Sequence, residues 1–138
     1  MTVENYLAEA GALGTLAGVL AGFAISAVIQ LLTTNSESKV ATATIVAFAA
    51  STVMFLYSLI VFVLTFAATA EQNQVITELD SLGSIAVLVM LGAVFVFLAG
   101  IGLTGWIRSR NTGIITSSFA VFTMCITSFA IVSVMSVF

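Results

Sequence analysis

Four apolar runs, each long enough to cross a bilayer and each uncharged through its middle, limit what this chain can become more than any other feature. They lie at about residues 7–32, 40–70, 82–107 and 113–138. A spanning helix takes about 20 mainly apolar residues, so all four qualify, and the second is long enough to tilt or to project beyond the hydrocarbon. Composition leaves no water-soluble alternative. With 61% hydrophobic and 7% charged residues and a mean hydropathy of +1.26, the chain cannot cover a soluble surface with polar groups. The expectation is a single all-α domain, residues 1–138, forming a multi-pass integral membrane protein whose first partner is the lipid bilayer.

Short polar segments separate the runs, so sequential helices should be antiparallel neighbours in an up-down arrangement. Thr34-Asn35-Ser36-Glu37 reads as a capping box ahead of the second span, and Asp80-Ser81 and Asn111-Thr112 as caps of the third and fourth. Trp106, followed by Arg108 and Arg110, reads as an interfacial anchor. The chain has no proline, so no proline kink is expected. Glu71, Glu78 and Asp80 read as a solvated acidic turn, because they lack the spacing of a calcium loop. All three basic residues, Lys39, Arg108 and Arg110, fall on the first and third connections. The positive-inside rule puts those connections in the cytoplasm and both termini outside.

Several chemistries are disfavoured. Three scattered cations make no nucleic-acid footprint. There is no histidine, and the single cysteine, Cys125, sits in an apolar run where a buried, inert thiol is expected. No span carries an ionisable side chain near its middle, as proton-coupled carriers normally do. An enzyme is therefore not expected, nor a cofactor, while a metal role stays open. The hydroxyls of the later spans, such as Ser51, Thr52, Ser58, Thr65, Ser117 and Thr123, can bond to the preceding turn of their own helix and need no functional explanation.

The first span carries the chain's most distinctive pattern. Gly14, Gly18, Gly22, Ser26 and Gln30 recur every four residues, giving a slowly rotating ladder of small and polar side chains on an apolar rod. A broader face combines Glu4, Ala8, Gly11, Thr15, Val19, Gly22, Phe23, Ser26 and Gln30, with Glu9 on its shoulder. Two uses fit. The small residues can form a packing seam, with Gly14 and Gly18 admitting a close neighbour and Ser26 and Gln30 bonding across it. Alternatively, copies of this helix surround a wet path for cations, with Gln30 as an amide ring and Val19 and Phe23 as an apolar constriction. Glu4 and Glu9 would then form an acidic mouth that concentrates cations. The packing use corresponds to a non-conducting scaffold or accessory subunit.

The segment Leu20-Ala21-Gly22-Phe23-Ala24-Ile25-Ser26-Ala27-Val28-Ile29-Gln30 resembles the pore helix of the Orai calcium channels. Val46-Ala47-Phe48-Ala49-Ala50-Ser51-Thr52-Val53 is similar to the start of their second helix, and Gly92 through Trp106 to their third. The resemblance implies a homo-oligomeric ring, hexameric in that family, with the first helix innermost and both termini cytoplasmic. It would make Gln30 the filter position, Ser26, Phe23, Gly22 and Val19 the apolar section, and Thr15 and Gly11 the inner section. The chain departs from that pattern where it has a neutral Gln30 for the family's glutamate and Gly100 for an acidic residue of the third helix. An amide can coordinate a cation through its carbonyl but supplies no net charge.

Overall fold

The computed structural model describes residues 2–33 and 37–137. Four long helices follow one another: α1 (Val3–Leu32), α2 (Lys39–Gln72), α3 (Thr77–Arg108) and α4 (Arg110–Met135). All four are long and apolar enough to cross a membrane, so the protein is a multi-pass integral membrane protein. They pack in sequence, α1 on α2, α2 on α3 and α3 on α4, each pair antiparallel. The register is fixed by close contacts: Gly11 lies opposite Phe66 and Gly14 opposite Phe62, while Gly92 meets Met54 and Gly100 meets Phe48. On the last pair Gly102 meets Ala120 and Gly105 meets Thr116.

The helices start earlier than the apolar runs do, because their first turns take in polar residues that flank those runs. Thr2 caps α1, accepting from the Asn5 backbone N–H at 3.2 Å. Residues 34–36 of the expected capping box lie outside the described residues, and Ser38 caps α2 instead, accepting from Ala41 N–H at 3.1 Å. Asp80-Ser81 does not cap α3. That helix begins at Thr77 after Ile76, which makes no side-chain cap bond, and it carries Glu78 and Asp80 in its first turn. Carboxylates there suit the positive end of the helix dipole, so the acidic turn is helix rather than loop. Asn111-Thr112 does not cap α4 either, since Ser109 accepts from Thr112 N–H at 3.2 Å. Asn73, in the left-handed conformation at φ 51°, ends α2.

The buried residues explain why α2 is central. Ala41, Thr44, Phe48, Ser51, Phe55, Ser58, Phe62, Thr65 and Thr69 are all buried and spaced alternately three and four apart, the seven-residue repeat of a left-handed supercoil. Phe48, Phe55 and Phe62 recur every seventh position, as do the small hydroxyl residues Thr44, Ser51, Ser58 and Thr65. On α1 the buried set Ala10, Gly14, Ala17, Ala21 and Ala24 follows the same repeat with only tiny side chains. In lipid, burial from water no longer drives helices together, so small residues that allow close backbone approach carry the association. Phe97 of α3 packs edge-on against Phe48 and Phe55, with ring centroids 5.5 and 6.3 Å apart.

The last pair is held differently. Trp106 Nε1 donates to Ser117 Oγ at 2.7 Å, the Thr116 hydroxyl donates to the Gly102 carbonyl at 3.0 Å, and the Trp106 ring lies where a side chain on Gly113 would stand. Trp106 is thus the clamp of the α3–α4 hairpin, beyond the interfacial role its position suggests. Only Gly113 and Ala120 of α4 are buried, so this helix lies at the outside of the subunit. Cys125 is correspondingly exposed. The expected buried thiol faces outward, because α4 packs chiefly on α3 and buries only Gly113 and Ala120.

Candidate functional site

The candidate site is the outward arc of α1. At roughly 100° per residue, the buried seam Ala10, Gly14, Ala17, Ala21 and Ala24 and the arc Thr15, Val19, Gly22, Phe23 and Ser26 lie about 160° apart. Each member of that arc is exposed, Val19 by 51% and Phe23 by 61%. Glu4, Ala8 and Gln30 are exposed too. Among the described residues, the subunit leaves this side of α1 exposed from Thr15 to Ser26.

The four-residue ladder does not stay on one surface. Each step of four advances about 40° around the helix, so the ladder winds out of the seam as it rises. A side chain added at Gly14 would meet Phe62 at 3.7 Å and Leu59 at 3.9 Å, and one at Gly18 would meet Leu59 at 3.7 Å. At Gly22 it would meet nothing within 4 Å. Gly14 and Gly18 therefore lie against α2, whereas Gly22, Ser26 and Gln30 have turned to the outside. Gly11, half-buried, lies at the edge, 3.7 Å from Phe66 by the same measure. The small side chains leave an open groove of about 460 Å³ between α1 and α2, lined in part by Thr15, Val19, Leu59 and Val63.

The polar groups of the arc are satisfied locally. The Thr15 hydroxyl donates to the Gly11 carbonyl at 2.9 Å and that of Ser26 to the Gly22 carbonyl at 2.8 Å. Both keep lone pairs for a further donor. Gln30 sits where the arc meets a second groove, which it lines with Ala27, Leu31, Phe48, Phe97, Ile101, Thr104 and Thr116. It belongs to the cleft between α1 and the later helices as well as to the outward face.

Glu4 and Glu9 are not brought together on one face. Glu4 lies in line with the arc, while Glu9 lines a small cavity toward α3 with Tyr6, Asp80 and Ser84. The antiparallel order nevertheless gathers five of the six carboxylates, Glu4, Glu9, Glu71, Glu78 and Asp80, at one end of the molecule. Lys39, Arg108, Arg110 and Glu37 occupy the other. Among the described residues no group of three or more His, Cys, Asp or Glu side chains could hold a metal ion. What the sequence pattern did not disclose is the groove beside Gln30, since its walls come from four helices and depend on their register. No family model, curated protein or solved structure matches this chain.

Proposed function

We propose that the protein is a homo-oligomeric, cation-conducting channel, in which copies of the outward arc of α1 face one another around a central path. The observation that carries this reading is that arc: among the described residues the subunit leaves Thr15, Val19, Gly22, Phe23 and Ser26 exposed, and the arc intersperses Thr15, Ser26 and Gln30 among apolar side chains. The resemblance of this segment to the Orai pore helix supports the same arrangement, with six copies by analogy. In such a ring Phe23 and Val19 form the apolar constriction, Gln30 coordinates cations through its carbonyl, and Glu4 contributes a ring of carboxylates at the far mouth.

Protein reconstituted into liposomes tests this. Cation flux is expected, and Gln30→Glu is expected to change selectivity among cations, because it adds one negative charge per copy at a constriction. Absence of current in both forms overturns the reading. Glu4→Gln is expected to reduce cation over anion preference more than Glu9→Gln, whose side chain turns toward α3.

A second reading is favoured by one specific observation. Because the Thr15 and Ser26 hydroxyls donate to their own helix, the arc can also sit dry against another helix, as in a non-conducting scaffold. A Ser26→Cys variant in a Cys125→Ser background separates the two. Reaction with a water-soluble thiol reagent supports the wet path, and protection supports the dry seam.

A further inference from the structure

We infer that the groove at the basic end of the subunit is a binding site for one anionic bilayer phospholipid, taken lengthwise with its phosphate at Arg108. The inference does not depend on α1 lining a pore. The groove has room of about 460 Å³ and is open rather than enclosed. Its α3 wall is a single stripe, Phe97, Ile101 and Thr104, whose steps of four and three keep these residues on one face. Four residues beyond Thr104 the same stripe reaches Arg108.

The order along this stripe is aromatic, aliphatic, hydroxyl, guanidinium, which matches a phospholipid read from acyl chain through glycerol ester to phosphate. Helical side chains lean back toward the N-terminus of their helix, so Arg108 covers the turn below it, where Thr104 lines the groove. Arg108 is exposed and has no ion-pair partner among the described residues. Guanidinium groups recognise phosphate through paired donors. Charge also selects the occupant and its leaflet. All three basic residues lie at this end and five of six carboxylates at the other, so an anionic headgroup is attracted to this mouth and repelled by the opposite one. A second copy seated in the groove would have to present a carboxylate to Arg108, yet at this end the chain offers only Glu37.

The test is native mass spectrometry of the full chain in detergent, titrated with phosphatidylglycerol or phosphatidylcholine of identical acyl chains. A first phosphatidylglycerol is expected to be retained at ~5-fold lower concentration than phosphatidylcholine, the order of attraction one basic side chain exerts on an anionic headgroup. Arg108→Gln is expected to abolish that preference, while Arg110→Gln, off the stripe, leaves it intact. Ile101→Trp, which fills the groove, is expected to reduce retention of both lipids. Equal retention of the two lipids by the unaltered chain overturns the inference. Equal loss of preference in Arg108→Gln and Arg110→Gln also overturns it, since that describes a diffuse basic surface rather than a site.

Discussion

Three positions separate the kinds of interaction that hold single residues in this protein. At Gly105 an added Cβ would stand 2.6 Å from the Thr112 carbonyl oxygen, and backbone cannot rotate out of the way. Gly105→Ala should therefore cost about 1–3 kcal/mol, as other overpacking substitutions do. Ser58 is a contrasting case. Its hydroxyl reaches both the Met54 carbonyl on its own helix and the Ala86 carbonyl on α3, each at 3.0 Å. Hydrogen bonds between helices in membranes average only about 0.6 kcal/mol, so Ser58→Ala should be mild. Thr69 runs the other way, because its Oγ1 is buried without a partner. Replacing it by the similarly shaped valine removes an unsatisfied group and should stabilise by about 1 kcal/mol. Unfolding of the three variants in mixed micelles checks the order.

At the scale of helices, the division between α1 and α2 decides what each can contribute. Both follow a seven-residue repeat, but α2 fills its repeat with phenylalanines and α1 with alanine and glycine. Phe55, fully buried, should lose about 3 kcal/mol on truncation to alanine, chiefly through the cavity left among Ala86, Met90 and Phe97. Phe23→Ala should leave the stability of the subunit almost unchanged, since that ring touches little of it. Under the channel reading Phe23→Ala should instead raise flux through a widened constriction, so stability and flux measured together distinguish a structural aromatic from a pore one. The existence of the four helices was legible because a run of about 20 apolar residues has few other fates. Their starts were misplaced at α3 and α4, because Thr77 to Ser81 and Arg110 to Thr112 look like turn residues although the dipole and Ser109 accommodate them in helix. The repeat on α2 was present in the sequence as Phe48, Phe55 and Phe62 alternating with hydroxyls. It is easily passed over in a chain where neighbouring positions are equally apolar. The peripheral place of α4 had no such signal, since a lipid-facing helix and a buried one share the same composition.

For the molecule as a whole, the antiparallel order turns a few charges into a strongly polar object. One end carries five carboxylates and no basic side chain, and the other carries Lys39, Arg108, Arg110 and Glu37. Orientation in a membrane follows the basic residues in short connections, with carboxylates contributing little. The prediction is that the Lys39 and Arg108 end faces the cytoplasm, opposite to what the Orai resemblance implies. Cysteines introduced in a Cys125→Ser background report it directly. Gln74→Cys, in the exposed α2–α3 connection, should react with a membrane-impermeant maleimide on intact cells, whereas Glu37→Cys should react only after permeabilisation. The reverse pattern rejects the charge argument and favours the resemblance. Since only three cations set the preference, Arg108→Gln with Arg110→Gln should yield a mixed population in which both cysteines label in part. This outcome bears on function as well, because the carboxylate-rich mouth that begins at Glu4 would then open to the outside. Under the channel reading, a pore so oriented would concentrate cations on its entry side, where external salt screens the field within about 8 Å at physiological ionic strength. Its cation preference should therefore fall as external salt is raised, and should respond less to salt on the cytoplasmic side.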